Sequence, residues 1–342
     1  RQERFPYETV EKMAKLGLMG IIVPKEYGGM GGDYKMYIKA VEELSKVCAT
    51  TGVILSAHTS LCIAPIMEYG NEEQKKKYLP KLASGEWLGA FGLTEPNAGT
   101  DANNQTTTAV KEGDHWVLNG SKIFITNAGP ANVYFVIAVT GRNPKGVECA
   151  AFIVEKGFPG FSVGKKELKM GIRGSSTCEL IFENCIVPEA NLVGKIGEGV
   201  KMALKTLDGG RVGISAQALG IAEGALEATV AYVKERKQFN KPISAFQNTQ
   251  FCLADLYTKI NAASLLVERA TEAKQNKSPM LGMYAAQAKL FAAETAMEVT
   301  TKCVQLHGGY GYSREYPIER MMRDAKTVSY THLRAHETEL HL

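Results

Sequence analysis

The stretch TTTAVKEGDHWVLNGSKIFITN, Thr106 to Asn127, alternates apolar with polar residues and carries two turn pairs, Gly113-Asp114 and Asn119-Gly120. A period of two is the signature of a half-buried strand, and such pairs mark hairpin bends. Short β-branched and aromatic runs follow: VYFVIAV, AAFIVEK, GFSVG and CELIFENCIVP. From about Phe91 to about Leu204 the economical reading is a β-sheet domain.

Both flanks read as helix. Upstream, YETVEKMAKLG sets Val10, Met13, Ala14 and Leu16 on one face and stops at Gly17, a natural C-terminal cap. Met36, Ala40, Val41 and Leu44 repeat the helical spacing. Asn71 with Gln74 three residues on predicts a capping box, and Pro80 is expected to break or offset that helix. Downstream, helices return after LDGGR. Leu219, Leu226 and Val233 lie seven apart, Leu253, Leu256, Ile260 and Val267 form a second stripe, and Ser278-Pro279 reads as a helix start. Six alanines between Ala285 and Ala296 favour the helix behind it. The plan is α+β: an N-terminal helical domain over 1–90, a middle β domain over 91–204 and a C-terminal helical bundle over 205–326.

Length and composition suit this plan. The chain has 342 residues, 45% hydrophobic and 22% charged, with 40 Lys plus Arg against 36 acidic residues. That mild excess has no long basic run and argues against a dedicated nucleic-acid binder, while leaving room for a local patch that takes a phosphorylated ligand. No apolar stretch is expected to approach the roughly 18 residues of a membrane span. Seven cysteines at scattered spacings read as buried free thiols in a reducing, cytoplasmic setting, and no metal site is expected. The chain opens RQERFPYETV, without an initiator Met or signal pattern, and reads as a piece of something longer.

Several stretches carry chemistry. GLTEPNAGTD, Gly92 to Asp101, breaks regular structure and offers Thr94, Thr100 and backbone N–H groups, suiting a flat, hydrogen-bond-rich ring or a phosphate; a plain surface turn is the alternative. In KIFITN, Phe124 and Thr126 share one strand face and Ile125 takes the other, either as core or as a platform. In LDGGR, paired glycines let a ligand approach the backbone beside Arg211, or they make a hinge. KERKQFNKPISAFQ sets Arg236, Phe239 and Gln247 round a Pro-containing turn, a grip for a nucleotide or a solvated basic face. QLHGGYGYSREYPIERMMRD, Gln305 to Asp324, ends a helix in glycines whose N–H groups can converge on an anion; it is not a dinucleotide-binding fingerprint.

Their order along Arg1 to about Lys326 resembles the acyl-CoA dehydrogenase family. GLTEPNAGTDANN fits the family's first motif except at Asn104, where a small residue is usual. QLHGGYGYSREYPIERMMRD fits the second. ERFPYETVEKMAKLG, TTGVILSAHTSLC, TLDGGRVGISAQALGIAEGA and KERKQFNKPIS are similar to the short-chain branch of anaerobic bacteria that acts on butyryl-CoA.

The resemblance implies FAD as cofactor, acyl-CoA as substrate, an electron-transferring flavoprotein as partner and a homotetramer built as a dimer of dimers. It implies that the segment Phe91–Thr100, with Leu93, Thr94 and Gly99, lines the isoalloxazine, and that Phe124, Ile125 and Thr126 cover its other side. Arg236, Phe239, Gln247 and the loop Gln305, Leu306, His307, Gly308 and Gly309 would reach a neighbour's FAD phosphates and adenosine. Thr100, Asp208, Gly209, Gly210 and Arg211 correspond to acyl-CoA contacts. Asn240 stands where glycine usually follows Phe239.

The base is where the likeness stops. In most of the family a Tyr-Glu-Gly-Thr box follows the RMMRDAK-like segment, and its glutamate removes the substrate's α-proton. Counted without gaps, His332 occupies that place. Other branches place the base just before the bundle arginine, here Gly210. The tail TVSYTHLRAHETELHL, 327–342, with Glu337 and Glu339 lacking the expected neighbours, reads as foreign to the family; the other reading makes His332 the base. Beside the dehydrogenase stand two alternatives: a catalytically silent holder of FAD or acyl-CoA, and an oxidase-like enzyme.

Overall fold

The computed structural model describes residues 3–143 and 146–330. Helices α1 (Tyr7–Lys15), α2 (Tyr34–Val47), α3 (Ala49–Ser56), α4 (Ala64–Tyr69) and α5 (Glu72–Ala83) lead into strands β1 (Gly89–Gly92) through β8 (Leu192–Val193). Then come α6 (Gly199–Glu235), the strands β9 (Lys237–Gln238) and β10 (Lys241–Pro242), α7 (Gln247–Gln275), α8 (Leu281–His307), α9 (Gly309–Tyr312) and α10 (Ile318–Tyr330). The fold is helical, then β, then helical, as the sequence predicts.

Contacts divide the chain into two compact units. The first holds Arg1–Asp33, Ile54–Leu168 and Gly174–Gly210; the second holds Tyr34–Val53, Lys169–Arg173 and Arg211–Leu342. In the first, the sheet runs β6 (Phe161–Lys166), β7 (Cys178–Pro188), β3 (His115–Ile125), β2 (Thr108–Glu112), β4 (Val133–Asn143), β5 (Gly146–Glu155) and β8, and β1 pairs parallel to β4. Strand β4 (Val133–Asn143) explains its own apolar run, because both of its faces are buried. Val133, Phe135, Ile137 and Val139 enter a core with Leu61, Ile66, Leu79 and Leu82. Tyr134, Val136 and Ala138 enter a second core with Trp116, Leu118, Phe152 and Leu180.

In the second unit, α2 lies against α6 at close range. A Cβ on Gly220 or Gly224 would sit 2.2 Å from the carbonyl oxygens of Glu42 and Lys46. Any side chain there would drive the two helices apart.

Local signals hold in several places. The capping box forms, with Gln74 N–H donating to Asn71 Oδ1 at 2.8 Å and Asn71 N–H to Gln74 Oε1 at 3.0 Å. Gly17 takes the left-handed conformation just beyond α1. All seven cysteines are free, five of them buried.

Five expectations are corrected. Pro80 sits inside α5, three residues from its end, where few backbone bonds depend on it. Leu16 and Met36 are exposed; α2 buries the predicted Val41 together with Tyr34, Tyr37 and Ile38, so its inner face is turned away from Met36. Helix α8 starts at Leu281, and Ser278-Pro279 forms the turn before it, with Ser278 Oγ accepting from Met280 N–H. LDGGR does not open the bundle: Asp208–Arg211 lies inside α6, because glycine lowers helix propensity by about 1 kcal/mol without stopping a helix held by tertiary packing. Finally, Ala49–Tyr69 is long and apolar enough to cross a membrane by length and composition, with a mean hydropathy of 1.4. Of its most apolar window, 89% is buried inside the fold, which is the pattern of a core helix. Ala57–Ile63, in its middle, winds as a π-helix.

Candidate active site

Each unit presents one group of the predicted site residues. In the first, β3 (His115–Ile125) carries Trp116, Leu118 and Lys122 inward on alternate positions. Phe124 has the same parity and would also point inward. A register shift against β7 (Cys178–Pro188) between Lys122 and Ile125, with Phe124 at φ +57°, turns its ring out instead. Phe124 is 61% exposed, Ile125 is buried and Thr126 half-buried. A core role for Phe124 is thereby excluded, and a bulky residue held at positive φ is an outlier of the kind that clusters at ligand sites.

The loop after β1 lies beside this strand end. Ile123 N–H donates to Thr94 O at 2.8 Å. Lys122 Nζ reaches Leu93 O at 3.2 Å, Glu95 Oε1 at 2.6 Å and Gln105 Oε1 at 3.0 Å. The side chains of Phe91 and Leu93 are committed to the core, with Phe91 stacked on Phe135, so these two positions offer backbone rather than side chain. Gly99 and Thr100 are exposed, and nothing lies within 4 Å of a Cβ built on Gly99.

The start of β1 is pinned from beneath. Gly89 N–H donates to His58 Nδ1 at 3.0 Å, and His58 Nε2 bonds Leu82 O at 3.1 Å. Both ring nitrogens are used by the neutral imidazole, and burial pulls its pKa down to about 4. Asn127 Nδ2 donates to Ile54 O at 3.1 Å.

In the second unit, α8 ends at His307, and Gly308 turns the chain at φ +60°, ψ −136°, a region that essentially only glycine occupies. Built Cβ atoms on Gly308 and Gly309 meet nothing within 4 Å. They border a cleft of about 610 Å³ lined by Arg236, Gln305, Leu306 and His307, among others. Tyr232 stacks on the His307 ring at 4.2 Å and donates from its hydroxyl to His307 O at 3.2 Å. Burial lowers the His307 pKa, while its bond to Cys303 O resists, so at neutral pH it carries no charge. The cation at this cleft is Arg236, whose guanidinium lies 5.6 Å from the Tyr310 ring centre. Gly308 N–H is already bonded to Gln305 O at 3.0 Å, so Arg236, the Gln305 amide and the uncrowded Gly309 are what would meet an anionic phosphate, with Glu315 at the same cleft.

The structure therefore gathers Arg236 and Gln305–Gly309 round one cleft. Phe239 and Gln247 are not among the residues that line it. Phe239 sits 89% exposed at the tip of the β9–β10 hairpin, where it and Asn240 both have positive φ, and Gln247 begins α7. Asp208 is half-buried and Gly209 and Gly210 are buried within α6, so Gly210 offers no side chain as a base. His332, Glu337 and Glu339 lie outside the described residues. Sequence reasoning passed over Lys122, although a lysine on the apolar parity of β3 was the available signal for a buried ion pair. Tyr232 and His58 gave none, since their roles depend on partners distant in the chain.

Three sequence profiles match in chain order: "Acyl-CoA dehydrogenase, N-terminal domain" over residues 1–86, "middle domain" over 90–185 and "C-terminal domain" over 197–331. The chain is 60% identical over 324 residues to a short-chain specific acyl-CoA dehydrogenase of Clostridium acetobutylicum, covering 95% of this chain and 85% of that one. It is similar to the solved butyryl-CoA dehydrogenase of Megasphaera elsdenii at a TM-score of 0.95 and 50% identity, covering 97% and 88%. It is also similar, at a TM-score of 0.94 and 55% identity, to a chain in a structure of the electron-transferring flavoprotein of Acidaminococcus fermentans, determined towards a mechanism of flavin-based electron bifurcation; the match covers 97% and 87%.

Proposed function

Because the chain belongs to the acyl-CoA dehydrogenase family, an FAD-dependent oxidoreductase family, we propose that it serves the α,β-dehydrogenation of short-chain acyl-CoA thioesters such as butyryl-CoA, giving the trans-2-enoyl-CoA. The observation that carries this reading is the outward-turned Phe124 beside the β1 loop, a flat wall at the place the family gives to the flavin ring.

The residues present fit FAD. Phe124 and Thr126 supply one ring-facing surface, and the backbone of Phe91–Thr94 with Gly99 and Thr100 supplies another. Arg236 and the uncrowded backbone at Gly308 and Gly309 suit the phosphates, in the family's manner those of a neighbouring copy's FAD. Bound there, FAD supplies the acceptor for the substrate's β-hydrogen.

The chain's own work is alignment, charge and the proton. An α-proton of a thioester is weakly acidic, so its removal needs a base held against it and hydrogen bonds to the carbonyl where negative charge develops. Asp208–Arg211 of α6 and Thr100 are the substrate contacts in this reading. The family's two base positions carry His332 and Gly210 here. Of these only His332 can accept a proton. Electrons then pass to an electron-transferring flavoprotein, and the working assembly is a cytoplasmic homotetramer.

The test is an anaerobic titration of the FAD-loaded chain with butyryl-CoA, watching the visible flavin band. Beside it runs the variant Thr331→Tyr/His332→Glu/Leu333→Gly/Arg334→Thr, which restores the family's box. The reading predicts bleaching of the variant with one enoyl-CoA formed per flavin. A folded, flavin-loaded variant that stays oxidised with several acyl-CoAs overturns it. Bleaching of the unaltered chain assigns the base to a group already present. An unaltered chain that binds butyryl-CoA and stays oxidised is the silent holder.

A further inference from the structure

Two lysines are buried among the described residues, and they are held very differently. Lys289, on α8, donates to the carbonyl of Ser329 near the end of α10. Lys122 is 0% exposed and faces Glu95, itself 2% exposed.

The Lys122 ammonium has three protons and three acceptors, Leu93 O, Glu95 Oε1 and Gln105 Oε1. The Glu95 carboxylate accepts in turn from Thr106 N–H at 2.6 Å, Thr106 Oγ1 at 2.8 Å and Thr107 N–H at 3.1 Å. Burial pulls the ammonium's pKa down while Glu95 pushes it back. Burial would raise the carboxyl, but Lys122 and the threonine donors outweigh it and hold it below its usual range. The network is closed.

Stability alone does not call for such a pair, because apolar residues of the same volume usually pack as well or better in its place. What an ion pair adds is direction. Leu93, Glu95, Gln105, Thr106 and Thr107 all belong to the loop between β1 and β2 (Thr108–Glu112), whereas Lys122 belongs to β3. The next residue, Ile123, donates its N–H to Thr94 O, and the one after that is Phe124. The three Lys122 bonds and the Ile123 bond therefore tie the loop to the strand end immediately before Phe124 turns outward, while the threonine bonds to Glu95 close the loop on itself.

We propose that the Glu95–Lys122 pair is a positioning device that holds the loop Leu93–Thr107 and the Phe124 wall at one fixed spacing before any ligand arrives. The ring that meets these walls is FAD's only under the function proposed above; the mechanical coupling stands without it. The two residues act through the loop and touch no reacting atom. Their charge is neutralised within the network.

The experiment uses the full chain without flavin and follows amide hydrogen exchange at Ile123, Thr106 and Thr107, with Lys122→Met against Lys289→Met. The proposal predicts at least tenfold faster exchange at all three amides in Lys122→Met and none in Lys289→Met, although both melt at lower temperature. Unchanged exchange at Ile123 in Lys122→Met, or equal acceleration in Lys289→Met, overturns it. Should Lys122→Met fail to fold, Gln105→Leu keeps the ion pair and removes one acceptor. It is then expected to speed the same amides about threefold, and no change overturns the proposal.

A second arm titrates FAD. Lys122→Met should bind it at least tenfold more weakly with an altered visible band, and Lys289→Met within twofold of the unaltered chain. Unaltered affinity in Lys122→Met, with the amides opened, refutes the positioning role toward the ligand. If the unaltered chain takes up no FAD, the proposed cofactor site fails, while the exchange arm still decides the coupling.

Discussion

The two candidate surfaces reach order by opposite means. Beneath the Phe124 wall, position is set by buried charge and by a fully bonded histidine, and nothing ionic faces outward from the network. At the end of α8, position is set by the Tyr232–His307 stack and by Gly308 N–H on Gln305 O, and what is left for a ligand is an arginine at the cleft and the space beside two glycines whose built side chains meet nothing. A surface that takes a planar ring is held rigid from below, with its polar groups already satisfied. A surface that takes an anion keeps its cation and its space available. The same chain builds both because saturation suits one ligand and availability the other.

The largest expected effect breaks the first half of that comparison by protonating its foundation. His58 titrates at an ordinary 6.5 when unfolded and near 4 when folded. Above pH 6.5 both states are neutral and the group contributes nothing to pH dependence. As pH falls from 6.5 toward 4, the unfolded state binds a proton that the folded state refuses, so stability drops by up to about 3 kcal/mol and then levels. Urea denaturation across that window should show the fall, and His58→Asn should flatten it. A wild-type profile without slope there would mean that His58 is not buried neutral.

Next comes Gly308→Ala, which sharpens the second half. Forcing a side chain into φ +60°, ψ −136° costs about 1–3 kcal/mol, and the methyl enters the cleft. Lower thermal stability together with weaker FAD binding is expected; FAD affinity equal to that of the parent would remove this loop from the site.

Phe124→Ala should do the reverse. An exposed ring contributes within about 0.5 kcal/mol to stability, so melting should barely move while flavin affinity falls. A large loss of stability would return Phe124 to the core. The smallest effect is Asn240→Gly at the hairpin tip, where asparagine already tolerates φ +63°. A gain of a few tenths of a kcal/mol is expected, read as a slightly higher melting temperature.

Legibility in the sequence followed the range of the interactions. The alternation from Thr106 to Asn127, the capping box at Asn71 and the Gly17 stop were readable because each depends on neighbours within a few residues. LDGGR misled because its glycines lie in a helix held by distant packing. The Ala49–Tyr69 run escaped because His58, Thr59 and Ser60 interrupt it to the eye, although their side chains are buried. For Phe124, the period of two left core and platform both open, since the register shift between Lys122 and Ile125 that turns the ring out leaves no local mark. The resemblance to a known family placed Arg236 and Gln305–Gly309 together, which spacing alone could not, as some 70 residues separate them along the chain. It was silent on Lys122, whose partners became visible only with the loop folded over it.

The most direct measurement is an equilibrium FAD titration of the chain, Phe124→Ala and Gly308→Ala under one set of conditions. The account predicts one FAD per chain and at least tenfold weaker binding in each variant, with the visible flavin band shifted in Phe124→Ala alone. Equal affinity in all three proteins would contradict it, because neither the ring wall nor the glycine cleft would then be holding flavin.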